Sequence, residues 1–138
     1  MVDTNVFLAA TDRSREAHDR ALTFLNTDTR RLALTAQIVR EYLAVATRPV
    51  EANGLGLSGS HASANVEQFL SDIELLPEDM ATSRTVMQMV GSDLATGKQV
   101  HDANIVAVAL AHNADTIVTD NTAHFLRFSD LIAIESLL

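Results

Sequence analysis

Two hydrophobic rhythms alternate along the chain. Short apolar runs of strand type fall at Leu32-Ala33-Leu34-Thr35, Ile73-Glu74-Leu75-Leu76, Thr116-Ile117-Val118-Thr119 and Leu131-Ile132-Ala133-Ile134. The opening Met1-Val2-Asp3 has the character of a strand end. Between these runs the apolar positions recur with helical spacing. Ser14 to Asn26 places Ala17, Ala21, Leu22 and Leu25 on one face, and further helices are expected over 36–47, 61–72, 79–95 and 100–113. Pro77 marks the exit from one strand. The stretch Pro49 to Ser60 carries Gly54, Gly56 and Gly59 and reads as a surface loop. Strands alternating with helices of about 10 to 15 residues predict βαβ units around a parallel sheet, covered by helices on both faces.

That architecture directs attention to particular positions. Open α/β sheets gather their ligands beyond the carboxyl ends of the strands, where strand order reverses. Asp3 and Asp120 each follow a strand run directly. Taken singly, each also suits a helix cap or a turn. Asp102 heads the stripe Ile105, Val106, Ala109 on a helix that is apolar around most of its circumference. Such a helix is buried, so Asp102 is expected to face inward. Its place in a first turn is also what the helix dipole favours. Glu41 borders the apolar face of its helix, with Ile38 and Val45 as neighbours. A surface pair with Arg48 is the plainer alternative for it, and such a pair contributes little.

Length and charge narrow the possibilities. The 138 residues amount to one domain, 1–138. Ten Lys and Arg against eighteen Asp and Glu leave a formal net charge of −8. That balance argues against a broad basic face for nucleic acid. The chain has no cysteine, which excludes disulfides, thiolate zinc sites and a cysteine nucleophile. The longest apolar run, Ile105 to Ala111, falls short of the ~18 residues a spanning helix needs. No basic leader precedes an apolar stretch, so no secretory signal is expected. A soluble, cytoplasmic protein without a membrane partner is the expectation.

Clustered carboxylates repel and raise one another's pKa unless a cation neutralises them. Hard oxygen donors without cysteine suit Mg²⁺ or Mn²⁺. A few carboxylates on such an ion leave it water ligands, which suits hydrolysis of a phosphodiester.

The residues Val2-Asp3-Thr4-Asn5-Val6, Arg40-Glu41-Tyr42, His101-Asp102-Ala103 and Ala114-Asp115-Thr116-Ile117-Val118-Thr119-Asp120-Asn121, closing with Phe125, resemble the PIN-domain nucleases. The resemblance is greatest to the VapC-type ribonuclease toxins of toxin–antitoxin pairs. It covers the whole chain. It implies a three-layer α/β/α fold with a five-stranded parallel sheet in the order 3-2-1-4-5. It also implies that Asp3, Glu41, Asp102 and Asp120 are the catalytic, metal-holding acids, with Asn5, Thr119 and Asn121 orienting them. The implied reaction is Mg²⁺- or Mn²⁺-dependent cleavage of RNA by an activated water, and the implied partners are a cognate antitoxin and a second copy of the chain. Two departures stand out. Only two residues precede Asp3, which suggests a shortened first strand or a late start, and His124 stands where many members carry a further acid.

Other features compete with this reading. His101-Asp102 with His18 and His61 would suit an HD-type phosphohydrolase, but that fold is all-helical and the strand runs oppose it. Nine of the ten basic residues are arginines; Arg13 and Arg15 soon after the Asp3 segment, and Arg40 and Arg48 flanking Glu41, are candidates for an RNA path, against the plainer reading of solvated helix faces. Met80, Met87 and Met89 are expected to fill core or a dimer contact. A PIN-like module that binds RNA or protein without catalysis, and a DNA-directed nuclease, are the alternative functions.

Overall fold

The computed structural model describes residues 1–138. The elements in order are α1 (Thr4–Thr11), α2 (His18–Thr27), β1 (Ala33–Thr35), α3 (Ala36–Thr47), α4 (Gly59–Asp72), β2 (Glu74–Leu76), α5 (Met80–Gly91), α6 (Gln99–Ala111), β3 (Thr116–Thr119), α7 (Thr122–Phe125) and β4 (Ala133–Ser136). Short 3₁₀ turns lie at Val50–Ala52 and Leu126–Phe128.

The strand content is more modest than a full five-stranded sheet. β1 pairs with β2 in parallel, and β3 pairs with β4 in parallel, as two separate two-stranded ladders. Residues 1–3 run between the ladders. Val2 N–H donates to Ala33 O (2.8 Å), Val118 N–H to Met1 O (2.9 Å) and Asp3 N–H to Val118 O (3.0 Å). Val2 makes one parallel bridge to Val118. The first segment is thus too short to count as a strand, and Asp3 begins a helix at once. The expected second strand starts at Glu74 and the last is displaced to Ala133–Ser136.

Local signals explain where the helices begin. Asp3, Thr35, Ser58 and Asp79 accept side-chain cap bonds from the first turns of α1, α3, α4 and α5. Periodicity does not announce helix α1, because Val6 to Ala10 is apolar on all sides and shows no amphipathic stripe. Burial of Val6, Phe7, Leu8 and Ala9 accounts for it. Helix α2 starts at His18, four residues later than its pattern suggests.

One apolar cluster joins these layers. Phe7, Leu34, Ile38, Tyr42, Ile105, Ile117, Phe125 and Phe128 are essentially inaccessible within it. Phe69 packs 4.8 Å from Phe7 and edge-on to Tyr42 at 5.3 Å, which ties α4 to α1 and α3. The glycine-rich loop folds back over the end of α3. Leu55, Gly56 and Leu57 N–H groups donate to Val45, Arg48 and Ala46 carbonyls, which α3 leaves open. Gly56 takes a positive φ of 64° there. Of the three methionines expected to fill core or a dimer contact, Met89 is buried in the core, and Met80 and Met87 are exposed on α5. No helix is long and apolar enough to cross a membrane.

Candidate active site

Asp3 and Asp120 leave adjacent strand segments, because Val2 bridges Val118. Asp3 is buried and serves as the N-cap of α1. Its Oδ1 accepts from Thr4 N (2.7 Å) and its Oδ2 accepts from Thr119 Oγ1 (2.8 Å). The capping role and a place at the sheet's carboxyl end therefore coincide in one residue. Burial pushes the Asp3 carboxyl up from 3.8 to about 6. The bonds from Thr119 and Thr4 oppose that rise, while Glu41 and Asp102 add to it.

A polar relay joins the two aspartates. Thr119 Oγ1 accepts from Asn5 Nδ2 (3.1 Å) and from Asn121 N–H (3.0 Å). Asn5 Oδ1 in turn accepts from Asp120 N–H (3.0 Å). Asn5 and Thr119 thus act through their side chains, while Asn121 joins through its backbone. Asp120 Oδ1 is buried and accepts no hydrogen bond at all. A buried acceptor without a donor costs about 1–3 kcal/mol, more if charged, so its presence asks for a partner.

Glu41 reaches the same region from α3. Its Oε2 accepts from Thr4 Oγ1 (2.6 Å) and its Oε1 from Gln37 Nε2 (2.7 Å). No pair with Arg48 forms; the ion pairs of the fold are Arg15–Asp12, Arg30–Asp28, Arg30–Glu135 and Arg31–Glu74. Gln37 Nε2 also donates to His101 O (3.0 Å), and Gln37 Oε1 accepts from Asn104 Nδ2 (2.8 Å). This ties α3 to the first turn of α6. Asp102 sits in that turn, half-buried, with its pKa raised. Burial is the main cause and Glu41 adds to it, against the cationic influence of His124, Arg127 and His101.

The charges of Glu41 and Asp102 thus reach Asp3, that of Glu41 reaches Asp102, and Asp120 is tied to Asp3 by the Thr119–Asn5 relay. The acids do not converge tightly: no group of three His, Asp or Glu side chains is preassembled around one point as a cation site. The donor set nevertheless suits a hard divalent cation, because the oxygens are carboxylate and one is buried without a partner.

Thr4 and Gln37 join the candidate site through their bonds to Glu41, and neither is marked by the acidic pattern. Thr4 stands inside the Asp3-Thr4-Asn5 segment, and Gln37 lies four residues before Glu41 on the same helix face, so spacing could have suggested both. Arg13 and Arg15 lie past the far end of α1, and Arg15 is held by Asp12. His18, a possible ligand in the HD-type alternative, instead bonds Ala9 O on α1.

A model of the PIN domain matches residues 1–131. No curated protein matches the chain's sequence. Among solved structures, the chain is similar to VapBC2 from Rickettsia felis bound to a DNA fragment from its promoter, at TM-score 0.67 and 19% identity, covering 99% of this chain and 96% of that one. VapBC-1 from nontypeable Haemophilus influenzae gives 0.68 and 17%, with 99% and 96% covered. FitAcB from Neisseria gonorrhoeae gives 0.65 and 19%, again covering 99% and 96%. At these identities the likeness is one of fold.

Proposed function

This chain belongs to the PIN-domain family, whose members are generally nucleases that use divalent metals, and from that premise we propose that it is a Mg²⁺- or Mn²⁺-dependent endoribonuclease, the toxin of a toxin–antitoxin pair. The observation that carries this reading is the buried, unpartnered Oδ1 of Asp120 on the strand next to the desolvated Asp3. An acceptor left without a donor in that position is explained by a cation. The fold likeness to VapBC2, VapBC-1 and FitAcB supports an antitoxin partner. We also infer the family's strand order 3-2-1-4-5, spatially β2, β1, residues 1–3, β3, β4, with residues 1–3 taking the middle place though too short for a full strand; the bonds of Val2 to Ala33 and of Asp3 to Val118 support it.

In this mechanism Asp3, Glu41, Asp102 and Asp120 would hold the ion. A bound Mg²⁺ or Mn²⁺ would supply a water of lowered pKa and positive charge for the phosphoryl group. Thr4 and Gln37 each occupy one oxygen of Glu41 and so fix its carboxylate plane. Thr119 does the same for Asp3 Oδ2, leaving the remaining lone pairs free to point outward. Asn5 holds the Asp120 backbone and thereby the position of its carboxylate. Arg13 and Arg15 follow the end of α1 opposite Asp3, with Arg15 paired to Asp12, and remain candidates for contact with the RNA away from the cut.

The test is cleavage of matched single-stranded RNA and DNA with Mn²⁺ and with EDTA, for wild type and Asp102→Asn. We expect RNA cleavage that requires metal and that falls by about a hundredfold in Asp102→Asn. DNA cut as readily as RNA would favour a DNA-directed nuclease. No cleavage together with no saturable Mn²⁺ binding would favour a binding module.

A further inference from the structure

A cleft of about 330 Å³ opens between α3, α5 and α6, lined by Gln37, Arg40, Ser83, Val86, His101 and Asn104, with Val100 at its wall. None of the four acids lines it, and two of its residues connect it to them. Gln37, in its lining, is the residue that holds Glu41, and His101 directly precedes Asp102.

Three other concavities compare with this cleft. One of about 350 Å³ beside α2 and β4 also holds an arginine without an ion pair, Arg20, but its lining includes Asp19 and Glu135 and none of the residues that hold the four acids. A larger cleft of about 600 Å³ at the opposite ends of the strands also holds two arginines. There Arg30 is committed to Asp28 and Glu135, and Arg31 to Glu74. A groove of about 310 Å³ between α1, α2 and α4 contains no arginine or lysine. Arg40, by contrast, is exposed and has no ion pair and no hydrogen bond. In a chain of net charge −8, a free guanidinium that shares a cleft with Gln37, the partner of Glu41, supplies a local positive field.

The lining offers separate places for separate parts of a nucleotide. Val86 and Val100 give an apolar wall for a base face. Asn104 spends its amide N–H on Gln37 Oε1, which leaves its carbonyl oxygen free to accept. Ser83 supplies a hydroxyl, and the Arg40 fork suits a phosphate. The volume lies at the small end of ligand cavities, the scale of one nucleotide rather than a protein element.

Resting on the ribonuclease reading above, we propose that this cleft is a nucleotide subsite flanking the cut: it seats one residue of single-stranded RNA, with Arg40 on its phosphate and Asn104 and Ser83 on its base. The strand then continues past His101 onto the acids.

The test is binding of a labelled single-stranded RNA oligonucleotide, followed by fluorescence anisotropy in EDTA over a range of salt. Arg40→Ala is expected to weaken binding about five- to tenfold at low salt. It should also reduce the slope of log K against log salt by about 0.7, the value of one lost phosphate contact on a single strand. Val86→Trp fills the cleft without changing charge; it should weaken binding and leave the slope intact. Arg20→Ala, on α2, should match wild type. Either cleft substitution binding like wild type, an equal loss in Arg20→Ala, or no saturable binding by wild type would overturn the subsite. Cleavage by wild type with Mn²⁺ is scored separately. Binding through Arg40 without any cleavage would sink the nuclease reading and with it the place beside a cut, leaving the cleft as a nucleotide-binding site alone. Cleavage with unchanged Arg40→Ala binding would do the reverse.

Discussion

Asp3→Asn should make the metal-free protein more stable at neutral pH while abolishing its proposed chemistry. The Asp3 carboxyl is raised from 3.8 to about 6, mainly by burial. A rise of about two pH units corresponds to about 3 kcal/mol. The unfolded chain loses this proton near pH 4, whereas the folded chain keeps it until about pH 6. Folded protein therefore binds more protons in that window, and its stability falls as pH rises through it. Asparagine carries no such charge and caps a helix about as well as aspartate, so the bond from Thr4 N survives. The bond from Thr119 Oγ1 is disturbed, which costs about 1 kcal/mol. The net gain at pH 7 is about 2 kcal/mol, or roughly 5 °C in Tm, and it reverses to a loss of about 1 kcal/mol below pH 4. Urea unfolding of both proteins in EDTA from pH 4 to pH 7.5 isolates this effect, since the other carboxylates titrate in both. A difference that stays constant across the range, or an Asp3→Asn protein less stable than wild type at pH 7, would refute the reasoning. Added Mn²⁺ should stabilise wild type much more than it stabilises Asp3→Asn.

Two further outcomes test the packing around the site. Tyr42 OH accepts from Asn65 Nδ2 (2.9 Å) and shares a hydrogen bond with Thr11 Oγ1 (3.0 Å), so Tyr42→Phe should lower unfolding stability by about 1–2 kcal/mol in a urea titration. An added Cβ at Gly54 would sit 2.0 Å from Arg48 O, so Gly54→Ala should destabilise by roughly 1–3 kcal/mol, seen as a lower Tm; an unchanged Tm would show that the loop yields freely.

Much of the helical layer is legible in the residues. The caps at Thr35 and Asp79 lie where the pattern places helix starts, and β1 and β3 coincide with their apolar runs to within a residue. The parts that the pattern leaves open share a cause. Val6 to Ala10 has no polar face, so no periodic stripe marks α1. Met80 and Met87 recur at helical spacing yet point outward, because spacing states which residues share a face and not what that face meets. Glu41 suits a rim pair with Arg48 as well as a place among the acids; the fold gives it Thr4 and Gln37 as partners in place of Arg48, and Thr4 lies thirty-seven residues away.

The sequence by itself determined an α/β chain, four acids of the right chemistry, and the family pattern they follow. Those properties are local: they depend on residue type, spacing and order. Only the tertiary structure decided that Asp3 is desolvated, that Asp120 Oδ1 is left without a donor, and that Arg40 stands free beside Gln37 and His101. Burial and hydrogen-bond partnership depend on which distant segments meet. In this fold that means residues 1–3 lodging between β1 and β3, a meeting that no single stretch of the chain encodes.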